Sequence, residues 1–80
     1  MIEKTVELTP RERLKRRVKV ACAYRGTTVA GVALMLGVKT ATIYALLNGK
    51  SSSVRLALRV AEILEIPVAE IYEGLGLPLP

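Results

Sequence analysis

The sequence reads as all-α, a bundle of five short helices, and three features predict this. Apolar residues recur at three- and four-residue spacing along most of the chain. Helix starts and stops lie between those stretches, from Thr9-Pro10-Arg11-Glu12 through Arg25-Gly26 to Ser53 and Pro67. Between Gly37 and Lys50 a tight turn leads into a short helical pattern that exits through Asn48-Gly49.

Residues 1–9 alternate around Val6 and Leu8 and read as a short extended arm. Thr9 then caps the first helix, Pro10 suits its first position and Glu12 completes a capping box. This helix should run to Tyr24, with Leu14, Val18, Ala21 and Cys22 inward and its cations outward. Thr28 caps the second helix, whose buried stripe is Val29, Val32, Ala33 and Leu36, and Gly37 supplies the positive φ of the turn. The third helix, Thr40 to Leu47, turns Ile43, Leu46 and Leu47 inward and Thr40, Ala41, Tyr44 and Ala45 outward. Asn-Gly is also a hairpin signal, but its flanks have helical period, so it reads as a helix exit.

Ser53 caps a fourth helix over Val54–Glu65, with Ala57, Val60, Ala61 and Leu64 buried. Pro67 opens a fifth that ends near Glu73, its Val68, Ile71 and Tyr72 closing the core. Residues 74–80, with two glycines and two prolines, do not read as regular helix. Leu75, Leu77 and Leu79 then either fold back or dock on a second subunit. The expected organisation is an arm over 1–9, one domain over 10–73 and an apolar tail over 74–80.

Composition narrows the function. Eighty residues, 51% of them hydrophobic, allow one small domain. The net charge of +5 favours a polyanionic partner. Arg11, Arg13, Lys15, Arg16, Arg17 and Lys19 crowd one segment, whereas everything after Arg59 is acidic or neutral. The chain has no His, no Asp and no Trp, which removes the usual general base and most metal sets. Cys22 stands alone among apolar residues and reads as a core thiol. An enzyme is not expected, nor a metal or other cofactor, nor a small-molecule ligand. The apolar stretch Val29–Val38 is about half the roughly 20 residues a membrane span needs, and Lys39 would fall inside it. The expected location is therefore the cytoplasm, on the nucleoid, and not a membrane.

The second and third helices with their turn make a helix-turn-helix, whose second helix is shaped for the DNA major groove. From about Leu14 to Tyr72 the chain resembles the Cro and phage-repressor (Xre-type) helix-turn-helix domain, lambda-repressor-like in fold. Ala33, Leu36-Gly37-Val38, Thr42-Ile43 and Asn48-Gly49-Lys50 carry the resemblance, with Val60-Ala61, Leu64, Ile66-Pro67-Val68 and Ile71-Tyr72. Two departures stand out. Where many relatives pair an arginine on the first helix with a glutamate before Asn-Gly, this chain has Cys22 and Leu47. Replacing both partners by apolar groups is coherent, since losing one alone would strand a buried charge. Where relatives often place a glutamine at the start of the second helix, this chain has Val29.

The resemblance implies a transcriptional regulator, a repressor or Cro-like protein binding double-stranded operator DNA as a homodimer. Lys39, Thr40, Ala41, Tyr44 and Ala45 would face base edges. Thr28, Asn48, Gly49, Lys50 and Ser51 would meet phosphates, helped by Arg16 and Arg17, and Leu75, Leu77 and Leu79 would line the dimer interface. The chain contains no Gln, and its one Asn lies in the loop, so the bidentate amide-to-adenine contact is not open to the third helix. That poverty of readers, with the leucine tail, supports a second reading: a protein-interaction or assembly module, scaffold or antitoxin-like.

Overall fold

Thr9 starts the first helix as a reciprocal cap. Its backbone N–H donates to Glu12 Oε1 at 2.7 Å, and Glu12 N–H donates back to Thr9 Oγ1 at 3.1 Å. The charge-accepting half of that exchange holds the Glu12 carboxyl below the ordinary carboxylate range, with Arg16 adding to the effect. In the computed structural model, residues 7–80 are described. The helices are α1 (Pro10–Tyr24), α2 (Val29–Leu36), α3 (Thr40–Leu47), α4 (Val54–Leu64) and α5 (Val68–Leu75), with no strand among the described residues. The arm expected over residues 1–9 lies mostly outside the described residues.

Each helix contributes at least one side chain to a single core. Val18, Val32, Ile43, Leu46, Leu47, Val60 and Ile71 are the most completely buried, and they come from all five helices. Burial of such a side chain stabilises by roughly 1.5–3 kcal/mol, so no helix can leave without exposing the others. α1 is the spine of the bundle and packs against each of the other four. Cys22 and Leu47, the two positions where the resemblance implies an ion pair in relatives, are both buried in this cluster. Burial also pushes the Cys22 thiol upward, away from the reactive thiolate.

Several details differ from the sequence reading. α4 ends at Leu64, because Glu65 adopts the left-handed conformation (φ 57°, ψ 43°) that usually falls to glycine. Its cost is offset locally: Ile66 N–H bonds Ala61 C=O at 2.9 Å, and the Glu65 carboxylate meets Arg25 at 2.9 Å. α5 starts at Val68, with Pro67 as its cap, and extends through Gly74 to Leu75. Val68 does not close the core but is 50% exposed, and Leu36 and Tyr72 are only partly buried. The tail therefore begins later than residue 74. Leu75 is buried in the core, which removes it from the expected dimer interface; Leu77 and Leu79 remain exposed.

Gly74 explains why the helix passes through a residue that reads as a breaker. A β-carbon there would lie 2.6 Å from Leu14 Cβ and 2.8 Å from its Cδ2. The glycine permits close approach of α5 to α1 at a helix-propensity cost of about 1 kcal/mol. Gly74→Ala should recover that propensity yet lose about 1–3 kcal/mol to overpacking, so that stability does not rise and falls by up to about 2 kcal/mol. Urea unfolding measures it; an alanine variant more stable than the parent by the full helix-propensity gain would contradict the close approach.

Candidate nucleic-acid interface

α2 and α3 are joined by a three-residue turn, and the chain bends by 115° between them. Gly37 makes the turn at φ 72°, ψ 28°. Val38 N–H closes it onto Ala33 C=O at 3.0 Å. Thr28 Oγ1 accepts from Gly31 N–H at 3.1 Å, leaving the amides of Val29 and Ala30 as open helix-end donors. α3 starts on Lys39 without any side-chain cap, so its first amides are open as well.

Ile43, Leu46 and Leu47 anchor α3 inward, as expected. Lys39 and Ala41 are exposed, and Thr40 and Ala45 are partly so. Thr42, which the sequence reading passed over, is also exposed. Its signal was available, because it follows Lys39 at three-residue spacing and so shares that arc of the helix.

Tyr44 has a different setting. It is partly buried against the core, and the ammonium groups of Lys15 and Lys19 stand 5.9 Å and 5.8 Å from its ring centroid. It therefore faces α1 at the margin of α3. Lys15 also donates to Asn48 Oδ1 at 2.6 Å, tying α1 to the exit of α3.

The loop after α3 is fixed from beneath. Lys50 and Ser51 N–H both bond Ala45 C=O, at 2.8 and 3.1 Å, and Gly49 takes φ 84°. Arg11 completes the arrangement. Its Nη1 donates to Leu46 C=O and Ser51 C=O, each at 2.8 Å; its Nε reaches Gly74 C=O at 3.2 Å and its Nη2 reaches Ser52 Oγ at 3.3 Å. One guanidinium thus holds the end of α3, the following loop and α5. Lys50, Asn48 and Gly49 are left on the exposed rim, and Ser51 is partly buried.

The arginines near the chain start are largely occupied. Arg13 donates to Leu8 C=O at 2.8 Å and stands 4.0 Å from Glu73, Arg17 pairs with Glu70 at 3.0 Å, and Arg25 pairs with Glu65. Arg17 is therefore turned toward α5, whereas Arg16 is exposed on α1. Lys15, Lys19, Lys39 and Lys50 have no carboxylate within salt-bridge distance among the described residues.

Residues 25–71, more than half of the chain, match the helix-turn-helix family model. The chain belongs to the Xre-type helix-turn-helix family. That family is one of DNA-binding regulators and not of enzymes. No curated protein and no solved structure matches the chain significantly. Among the described residues no group of side chains is placed to hold a metal ion, and no single helix is long and apolar enough to cross a membrane.

Within this Xre-type domain the tie between α1 and α3 has a form the sequence did not reveal. Cys22 and Leu47 supply packing alone, and Arg11 binds the backbone carbonyl of Leu46 instead of a carboxylate. Lysine keeps the charge but not the fork, so Arg11→Lys should lose roughly 1.5–3 kcal/mol of stability through unsatisfied carbonyls. Chemical denaturation measures this. An unchanged midpoint would mean that the fork contributes nothing.

Proposed function

We propose that the chain is a transcriptional regulator that binds operator DNA as a homodimer, with α3 in the major groove. The observation that carries this reading is the unengaged arc of α3. Lys39, Thr40 and Thr42 make no side-chain hydrogen bond among the described residues, and the methyl groups of Ala41 and Ala45 are exposed or partly so, on a helix whose first amides lack a side-chain cap. Phosphate-binding groups flank that arc on two sides: the open amides of Val29 and Ala30 at the α2 N-terminus, and the exposed Lys50 side chain in the loop, whose own amides are taken by the Leu46 and Ala45 carbonyls. Such amides and a nearby lysine suit phosphates of one groove.

Base reading would rest on the Thr40 and Thr42 hydroxyls, Lys39 and the methyl groups of Ala41 and Ala45. Threonine accepts several bases, and alanine favours the thymine methyl. Affinity should therefore come mainly from the backbone, with modest discrimination. Tyr44 would act at the edge of this face, through its contact with α1. A two-fold dimer would set two such helices about 34 Å apart along the duplex. Its contact surface would include Leu77 and Leu79, 40% and 60% exposed, with Val68 near the start of α5. A regulator of this kind works where the DNA is, in the cytoplasm on the nucleoid.

The assembly reading draws on other residues. Leu34 and Met35 on the far end of α2 are 82% and 59% exposed, more than a lone regulator domain requires. Binding that ignores salt would favour that reading over the proposed one.

Selection of bound sequences from a random duplex pool tests the function directly. The expected result is a two-fold symmetric site with half-sites roughly 10 base pairs apart. Recovery of no preferred sequence would overturn the operator reading. Removing residues 77–80, which spares Leu75, should raise the dimer dissociation constant and weaken operator binding. A truncated chain that sediments and binds like the full one would exclude the tail from the interface.

A further inference from the structure

We infer that Lys15 and Lys19 of α1, standing over Tyr44 of α3, form a seat for backbone phosphate of duplex DNA. The inference rests on the DNA-binding reading and deepens it: the phosphate contact of α1, expected from sequence at Arg16 and Arg17, falls instead to Lys15 and Lys19 beside α3.

Four observations converge on the seat. The two ammonium groups are 5.9 Å and 5.8 Å from one ring centroid, so two like charges are gathered at one aromatic ring. They are four residues apart on one helix, an arrangement that is repulsive by itself. Cation–ring attraction offsets part of that repulsion. Neither lysine has a carboxylate within salt-bridge distance among the described residues, so nothing anionic described here completes the balance. Finally, Lys15 donates to Asn48 Oδ1 at 2.6 Å, which fixes the pair beside the loop whose Gly49 and Lys50 are exposed.

The contrast with the other cations of α1 sharpens the assignment. Arg11, Arg13 and Arg17 are engaged with protein acceptors, and Arg16 stands one turn from Glu12, whose carboxylate it helps keep ionised. Three of the four guanidiniums bind carbonyls or carboxylates of the fold. Lys15 meets only a neutral amide oxygen and Lys19 no hydrogen-bond acceptor among the described residues, which leaves the charge of both ammoniums for an external anion. A phosphodiester fits: it is a single negative charge with two free oxygens that lysine binds as a point charge. Phosphates also recur along the duplex, so one beside α3 is already near the seat when α3 enters the groove. An acidic segment of another protein would offer the same charge without that register.

The test uses the full chain and a mixed-sequence duplex of about three helical turns, with affinity measured across a range of salt concentrations. Lys15→Gln with Lys19→Gln should make the slope of log K against log salt shallower by about 0.9 to 1.8, according to whether the ammoniums share a phosphate or take neighbouring ones. Lys15→Arg with Lys19→Arg should keep the parent slope. Lys19→Gln alone, which leaves the Asn48 bond intact, should show a smaller flattening and covers the case in which the double variant unfolds. An unchanged slope in the glutamine variants would overturn the seat while leaving DNA binding in place. Equal losses in the glutamine and arginine pairs would also overturn it, because charge would not be the cause. A parent chain that binds no duplex at any salt would remove the DNA reading and the seat together, and it is seen before any variant is made.

Discussion

The Arg11 guanidinium is the contact on which the interface depends. It donates to carbonyls of Leu46, Ser51 and Gly74, which belong to α3, the next loop and α5. The first two are consecutive in the chain, but α5 begins only at Val68 and is brought to them by the fold. A short helix such as α3 cannot stand alone, since eight residues are well below what propensity can hold in water. Its inner face is held by apolar burial, and its last turn by this fork. Its reach to α5, from Nε to Gly74 C=O, is made where α5 approaches α1 closely, at a residue without a side chain. Cap, glycine and guanidinium therefore make a single arrangement: Thr9 fixes where α1 begins, and so where Arg11 stands.

α1 also sorts its cations by chemistry. Arginine presents a rigid, planar fork that suits fixed protein acceptors, whereas lysine is a compact, strongly hydrated charge on a flexible stem. Arg11, Arg13 and Arg17 are used inside the fold, and Lys15 and Lys19 face outward beside α3. A run that looks in sequence like a uniformly solvated face is thus two faces interleaved. Net charge indicated a polyanionic partner, but the cations with no described carboxylate partner form a smaller set than composition implied.

Much of the fold was legible in the sequence, because helix ends are local chemistry. Thr9, Thr28 and Ser53 each cap the helix read from them, and Gly37 turns where it was expected to turn. Errors arose where a distant neighbour decided the outcome. Gly74 signalled a break but answers to Leu14, sixty residues away in the chain, and so Leu75 joined the core. Glu65 takes a glycine-like conformation with Arg25 as partner, a pairing no local pattern announces. The interface was legible as a helix face and less so as chemistry. Periodicity put Tyr44 outward, whereas the proximity of α1 gives it a half-buried place beside two lysines.

If α1 braces a pre-set surface, duplex DNA should meet it without rearranging the brace. Amide chemical shifts of the full chain, followed by NMR as duplex is added, test this most directly. Changes are expected at Val29–Gly31, Thr40–Ala45 and Asn48–Lys50, with Lys15 and Lys19 affected and Gly74 and Leu75 unmoved. Changes centred instead on Val20, Tyr24 and the outer face of α5, with α3 silent, would contradict the account.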